Sequence, residues 1–185
     1  MPSSPLPVLH TLRLCLRPLT EADGAAVYRM IDTSRASYVR WFGWAGESTP
    51  DSVRDYVRQA EEATSLGGAW HYVVLTQANS LIGRVSLTQI DPVNLSAELG
   101  YMLRTDFEGR GLMTESCRAV LGHAFGPGGL HRISAYADAE NCASHQVLER
   151  MGFRREGTVR HAACHPERGW RDHCAFGLLE GELRG

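Results

Sequence analysis

The chain has 185 residues, 43% of them hydrophobic and 22% charged, with a formal net charge of −2 at pH 7. That length favours a single domain able to bury a sizeable core, since domains run to about 100–200 residues. The slightly acidic balance argues against a nucleic-acid binder, which carries a basic face, and no apolar run of about 18 residues is present to span a membrane.

Met1 to Val8 reads as a short flexible leader, rich in Pro and Ser and without the basic start and apolar stretch of a signal peptide. Residues 9–182 read as one domain. The cysteines Cys15, Cys117, Cys142, Cys164 and Cys174 are odd in number and lack framework spacing, which suggests reduced thiols in the cytoplasm. His161, Cys164 and His165 lie close together, but no Cys-x-x-Cys pair accompanies them, so no metal site is expected.

Leu12, Leu14 and Leu16 alternate with Arg13, Cys15 and Arg17, the period-2 pattern of a strand ending at Pro18. Thr20 then offers an N-cap, and Ala26, Val27, Met30 and Ile31 share one face of a helix predicted to run to about Asp32. An aromatic loop spans Tyr38 to Trp44. Thr49-Pro50 opens a second helix to about Ala63, closed by Gly67 and Gly68. Trp70 to Thr76 and Leu81 to Ile90 form a predicted hairpin turning near Asn79, and Ser96 to Leu103 is a further strand. A helix over Leu112 to Phe125 stops at Gly126-Pro127-Gly128-Gly129. A strand over Arg132 to Ala137, a helix over Ala143 to Met151, a strand from Phe153 and a last strand over Asp172 to Leu179 complete the chain. This order describes an α/β protein, a mixed sheet with helices on its faces.

The strongest local signal is the strand–loop–helix Tyr101 to Thr114, with Gly109 and Gly111 directly before the helix. The first N–H groups of a helix have no internal partner and sit at the positive end of its dipole, so they hold a phosphate without needing lysine. Glycine lets the main chain come close and adopt positive φ. Gly109, Gly111 and Leu112 are therefore candidate main-chain donors. A lone G-x-G also fits a plain tight turn. A Rossmann fingerprint lacks its third glycine, and a P-loop lacks Gly-Lys-Ser/Thr.

Four segments in order, Gly100-Tyr101-Met102-Leu103, Gly109-Arg110-Gly111-Leu112-Met113, Asn141-Cys142-Ala143-Ser144 and Met151-Gly152-Phe153-Arg154-Arg155-Glu156-Gly157, resemble the GNAT acetyltransferase pattern. More narrowly the chain is similar to the Rim-type ribosomal-protein N-acetyltransferases, through Ile31-Asp32-Thr33-Ser34-Arg35, Trp41-Phe42-Gly43-Trp44 and the turn Gly169-Trp170-Arg171-Asp172. The resemblance covers roughly residues 9 to 180. It implies a twisted sheet of six to seven strands flanked by about four helices, with a splayed strand pair that holds acetyl-CoA as co-substrate and no metal. Main-chain groups of Met102 and Leu103 would pair with the pantetheine arm, and Glu108, Gly109, Arg110, Gly111, Leu112 and Met113 would take the pyrophosphate. Asn141 would hold a pantetheine amide, and Ser144 would sit near the thioester sulfur. Arg35, Trp41 and Trp44 would line the substrate end. The family's phosphate loop often starts with Arg or Gln where this chain has Asp106, which removes one side-chain contact and leaves the main-chain donors.

Each residue also has a plain structural role open to it. Asn141 is a good helix cap, Ser144 can bond backbone, and the tryptophans can be core anchors. For the base, Glu98 lies on the strand beside the expected thioester, and His161 and His165 flank Ala163, where Rim-type relatives can carry a glutamate; the residues do not choose among them. An α-amine with a pKa of about 8 is roughly a tenth free base at pH 7 and asks little of any base. Three functions follow: acetylation of a protein N-terminus, acetylation of a small amine such as a polyamine, amino acid or antibiotic, or a non-catalytic acyl-CoA-binding module. A homodimer is compatible with the resemblance, although no stretch marks an interface.

Overall fold

The computed structural model describes residues 6–185; Met1 to Pro5 of the expected leader lie outside that range. The chain forms β1 (Leu9–His10), β2 (Leu14–Pro18), α1 (Gly24–Tyr38), α2 (Trp44–Glu47), α3 (Pro50–Ser65), β3 (Trp70–Thr76), β4 (Leu81–Asp91), β5 (Ser96–Leu103), α4 (Leu112–Phe125), β6 (Arg132–Asp138), α5 (Cys142–Met151), β7 (Arg154–His165) and β8 (Gly169–Leu179). The strands make one sheet in the order β1-β2-β3-β4-β5-β6-β8-β7. Every pairing is antiparallel except β5 with β6.

Period-2 alternation divides the sheet between two cores. On β3, Tyr72 and Val74 join α4 and α5 on one face, while Val73 and Leu75 join α1 and α3 on the other. Both faces are covered, so β3 reads as a continuous apolar run. The helix starts follow cap chemistry. Thr49 and Ser52 form a reciprocal capping box with Pro50 in the first turn, and Asn141 Oδ1 accepts from Ser144 N at 3.1 Å.

Three boundaries differ from the sequence reading. Thr20 caps only a 3-10 turn, Glu21–Asp23, and α1 continues to Tyr38, six residues past the expected end. Its buried stripe carries on through Ser34 and Tyr38, whose polar groups have partners across the fold: Ser34 Oγ accepts from Thr105 N at 3.1 Å, and the Tyr38 hydroxyl donates to Leu103 O at 2.6 Å. Among the described residues the sheet has eight strands and there are five α-helices, because two-residue β1 and one-turn α2 fall below what periodicity detects. Gly169 to Asp172, expected as a turn, begins β8 and pairs with the end of β7 in a long hairpin.

The fold also extends past both expected domain limits. Leu6 and Leu183 pack against the larger core, and Arg184 N donates to Met151 O at 3.0 Å. Among the described residues no helix is long and apolar enough to cross a membrane.

Candidate active site

The parallel pair β5–β6 stays in register only over Ser96↔Arg132, Ala97↔Ile133 and Glu98↔Ser134. Beyond those rungs β5 continues to Leu103 on β4 alone, and β6 continues to Asp138 on β8 alone. The sheet therefore opens into a V whose inner edges carry unpaired peptide groups. Arg104 N donates to Ile82 O at 2.7 Å, which fixes the alternation of the β4–β5 ladder. Tyr101 and Leu103 turn their peptide groups into the gap, and Met102 turns its own towards β4. This corrects the expectation for Met102, because main-chain pairing from the open edge falls to its two neighbours. Met102 still lines the groove with its side chain.

At the mouth of the V lies the glycine loop. Gly109 and Gly111 both have φ +72°, and Gly111 is the left-handed N-cap of α4. The first helical bond runs from Glu115 N to Gly111 O. From Gly109 to Thr114, none of the six successive N–H groups has an acceptor among the described residues. Orphan donors of this kind at a helix start form an anion cradle. A Cβ at Gly109 would meet nothing within 4 Å, so that position is kept open by conformation rather than by crowding. Arg104 and Arg110 flank the loop, each stacked over the Phe107 ring, at 4.8 and 5.3 Å from its centroid.

The groove between these parts has a volume of about 820 Å³. It is lined by Trp41, Met102, Leu103, Glu108, Gly109, Gly111, Leu112, Met113, Asn141 and Ser144, so ten of the expected residues come together. Arg110 sits beside it, its carbonyl tied to Arg13 Nη1 at 3.0 Å. Burial pushes the Glu108 carboxyl above its ordinary range. Asn141 takes the plain role foreseen for it, capping α5, and its start is fixed by a charged knot. Arg171 Nε donates to Asp138 Oδ2 at 3.0 Å, Arg171 pairs with Glu140 at 2.6 Å, and Glu140 N donates to Asp138 Oδ1 at 2.9 Å. Burial would raise the Asp138 carboxyl, but these bonds outweigh it and hold it below the usual carboxylate range.

A second cavity of about 490 Å³ lies on the α1/α3 face. Trp44, Glu47, Tyr56, Arg84 and Ser86 line it, and it shares Phe42, Tyr101 and Met102 with the groove. The two expected tryptophans thus divide, Trp41 to the groove and Trp44 to the second cavity. Arg35 reaches neither. It holds α2 to α1 by bonds to Ala45 O, Gly46 O and Ser48, and its guanidinium is steadied within α1 by an ion pair with Asp32 at 2.9 Å. That is positioning of the cavity wall, where the sequence suggested contact.

The base candidates are likewise scattered. Glu98 is half-buried in the sheet, accepts from Gln89 Nε2 at 3.1 Å, and has a carboxyl raised by desolvation; it lines neither cavity. His165 is buried with both ring nitrogens engaged. Nε2 bonds Val39 O at 2.6 Å, and Nδ1 accepts from Glu167 N and Arg168 N at 3.2 Å. It is a clamp between β7 and the end of α1. His161 is exposed on β7, stacked on Trp170 with centroids 5.7 Å apart, and lines neither cavity. Among the described residues no group of three or more His, Cys, Asp and Glu side chains converges as a metal site.

Sequence reasoning missed a partner of Ser144. The Tyr101 hydroxyl lies 2.7 Å from Ser144 Oγ and 3.2 Å from Ser144 O, so two hydroxyls stand together at the inner end of the V. Burial pushes the Tyr101 hydroxyl well above its ordinary pKa, so it stays protonated as a donor. Its residue type was visible in the quoted strand, but nothing in the spacing tied it to Ser144.

Known proteins agree with this geometry. The model of the acetyltransferase (GNAT) domain matches residues 13–154. The chain belongs to the GNAT acetyltransferase family. The putative ribosomal N-acetyltransferase YdaF of Bacillus subtilis (strain 168) is 31% identical over 153 residues, covering 80% of this chain and 81% of YdaF. Mycobacterium smegmatis RimJ in complex with CoA-disulfide superposes with a TM-score of 0.84 at 26% identity, over 100% of this chain and 90% of that one. RimL, the ribosomal L7/L12 alpha-N-protein acetyltransferase, in complex with coenzyme A, superposes with a TM-score of 0.88 at 24% identity, over 94% and 98%. The eight-stranded mixed sheet with its splay is thus the GNAT fold, and the chain is an enzyme of the N-acetyltransferase class.

Proposed function

We propose that this GNAT enzyme moves the acetyl group of acetyl-CoA to the N-terminal α-amine of a protein, with both substrates bound at once. The observation that carries the reading is the meeting of two cavities at Tyr101 and Met102, one lined by the anion cradle and one open to an acceptor. The relatives named for ribosomal proteins support a protein acceptor.

Acetyl-CoA supplies an activated acyl group and a thiol leaving group. The six orphan N–H groups from Gly109 to Thr114 hold its diphosphate. The Tyr101 peptide group and the Leu103 N–H pair with the pantetheine arm, the Leu103 carbonyl being taken by Tyr38, and the Asn141 side-chain amide, its oxygen already capping α5, has Nδ2 to donate. The Tyr101 hydroxyl donates to Ser144 Oγ, which leaves the Ser144 hydrogen to donate towards the sulfur as charge gathers there. With a thiol pKa near 8.5, hydrogen bonding suffices without full proton transfer. An α-amine that is partly neutral at pH 7 needs no dedicated base. The engagement of His165 removes it from the role of base, and Glu98 and His161, which line neither cavity, could take up the proton only through water.

The deciding measurement is CoA-thiol release on peptides beginning with Ser, Ala or Thr against polyamines, amino acids and aminoglycosides. Turnover on the peptides alone supports a protein acceptor; turnover on small amines alone transfers the assignment to that class. Tight acetyl-CoA binding with no turnover on anything would make the chain a sensing module. Ser144→Ala and Tyr101→Phe are each expected to lower kcat about threefold to tenfold with KM for acetyl-CoA little changed, as expected for donors that matter late in the reaction. A double variant no worse than either single one would show that the two hydroxyls act as one unit.

A further inference from the structure

The second cavity contains a charge that the reaction itself does not use. Arg84 on β4 is only 7% exposed and lines that cavity. Its single side-chain hydrogen bond among the described residues goes to the Tyr56 hydroxyl, over whose ring its guanidinium lies 4.7 Å from the centroid. Its Nε is buried with no partner, and it enters none of the ion pairs among the described residues. A buried guanidinium without a carboxylate is expensive, because its planar fork of donors is built for a bidentate oxyanion. Other titratable groups around it are His71 from β3, the phenols of Tyr38 and Tyr101, and Glu47, exposed on α2 at the cavity rim. None of them closes the fork.

Resting on the acetyltransfer reading above, we propose that this cavity selects an acceptor amine bearing a carboxylate, which Arg84 takes as the missing partner. Arg84 is the cross-strand partner of Met102, where the two cavities meet. Cross-strand neighbours stand about 5 Å apart, so the carboxylate and the amine lie close together in one molecule. An acidic side chain in the first residues of a protein satisfies this, as does the α-carboxylate of a free amino acid. A polyamine does not, since it brings a second cation beside Arg84.

Two matched acceptor pairs test the idea by CoA-thiol release: a Ser-Asp peptide against Ser-Asn, and serine against serinamide at equal concentration of free amine. The wild-type enzyme is expected to favour the acidic member of one pair at least tenfold in kcat/KM, and the pair that responds names the source of the carboxylate. In Arg84→Gln that preference is expected to collapse 10- to 100-fold, the usual worth of a hydrogen bond to a charged group, with partial recovery in Arg84→Lys. Acetyl-CoA affinity, measured by calorimetry on each variant, reports that it is folded. The proposal is overturned if the wild type binds acetyl-CoA yet favours neither acidic member, acetylates neither pair, prefers spermidine, or keeps its preference in a folded Arg84→Gln. A wild type that fails to bind acetyl-CoA would instead bring down the acetyltransfer reading beneath it.

Discussion

Replacing Gly109 and Gly111 together by alanine is expected to raise the dissociation constant of acetyl-CoA by roughly 30-fold to several hundredfold. Both residues have φ +72°, where a Cβ costs about 1–2 kcal/mol per residue. Two such penalties combine to a few kcal/mol, and every 1.4 kcal/mol is tenfold in affinity. Neither site is crowded: a Cβ at Gly109 meets nothing within 4 Å, and one at Gly111 meets only the Arg13 guanidinium at 3.8 Å. The loss is therefore conformational, and it falls on the cradle because the six orphan N–H groups face one anion only while both glycines hold the left-handed turn. Calorimetry with acetyl-CoA measures the effect. A small change in melting temperature separates loss of the cradle from loss of the fold. Affinity within threefold of the wild type would show that the diphosphate is held elsewhere.

What could be read from the chain beforehand follows from how local each signal is. The boundaries of β3, β5 and α4 were legible because alternation, a glycine pair and a Gly-Pro-Gly-Gly stop lie within the elements themselves. The cradle was legible for the same reason, since its donors are main chain and need only the glycines. The splay was expected through the family resemblance alone, because divergence of β5 from β6 depends on what β6 pairs with on its other side, β8, some 40 residues later in the chain. Arg35 and His165 misled for a related reason. A charged or titratable side chain in a family-like segment looks functional until its partners are visible, and theirs are carbonyls of Ala45 and Val39 that no spacing announces. Arg84 is the reverse case. Nothing in the pattern of Leu81 to Ile90 marks its arginine as special, and only the fold reveals it as buried without an anion.

The same buried corner of the sheet makes stability depend on pH in a window separate from acid unfolding. His71 is 5% exposed, its Nδ1 has no partner, and its ring packs edge-on against Tyr56. Burial, and then the positive charge of Arg84, lower its pKa from 6.5 to about 4. The unfolded chain binds a proton here from about pH 6.5 downwards, while the folded chain refuses it until about pH 4. Folding therefore loses free energy as pH falls across that interval, by about 2 kcal/mol at pH 5 and about 3 kcal/mol at pH 4. His123, also lowered by burial, adds to the slope, and the raised carboxyls of Glu98 and Glu108 work against it just above pH 4.5. The lowered carboxyls of Asp23 and Asp138 act only below about pH 4, where protonation removes their pairing with Arg17 and Arg171. Subtraction isolates the histidine: urea unfolding of the wild type and His71→Phe at pH 7.5 and pH 5 should differ by about 2 kcal/mol more at the lower pH, in favour of the variant. Equal differences at the two pH values would mean that the folded protein takes up the proton at His71 as readily as the unfolded chain, and that Arg84 does not confront it across the sheet.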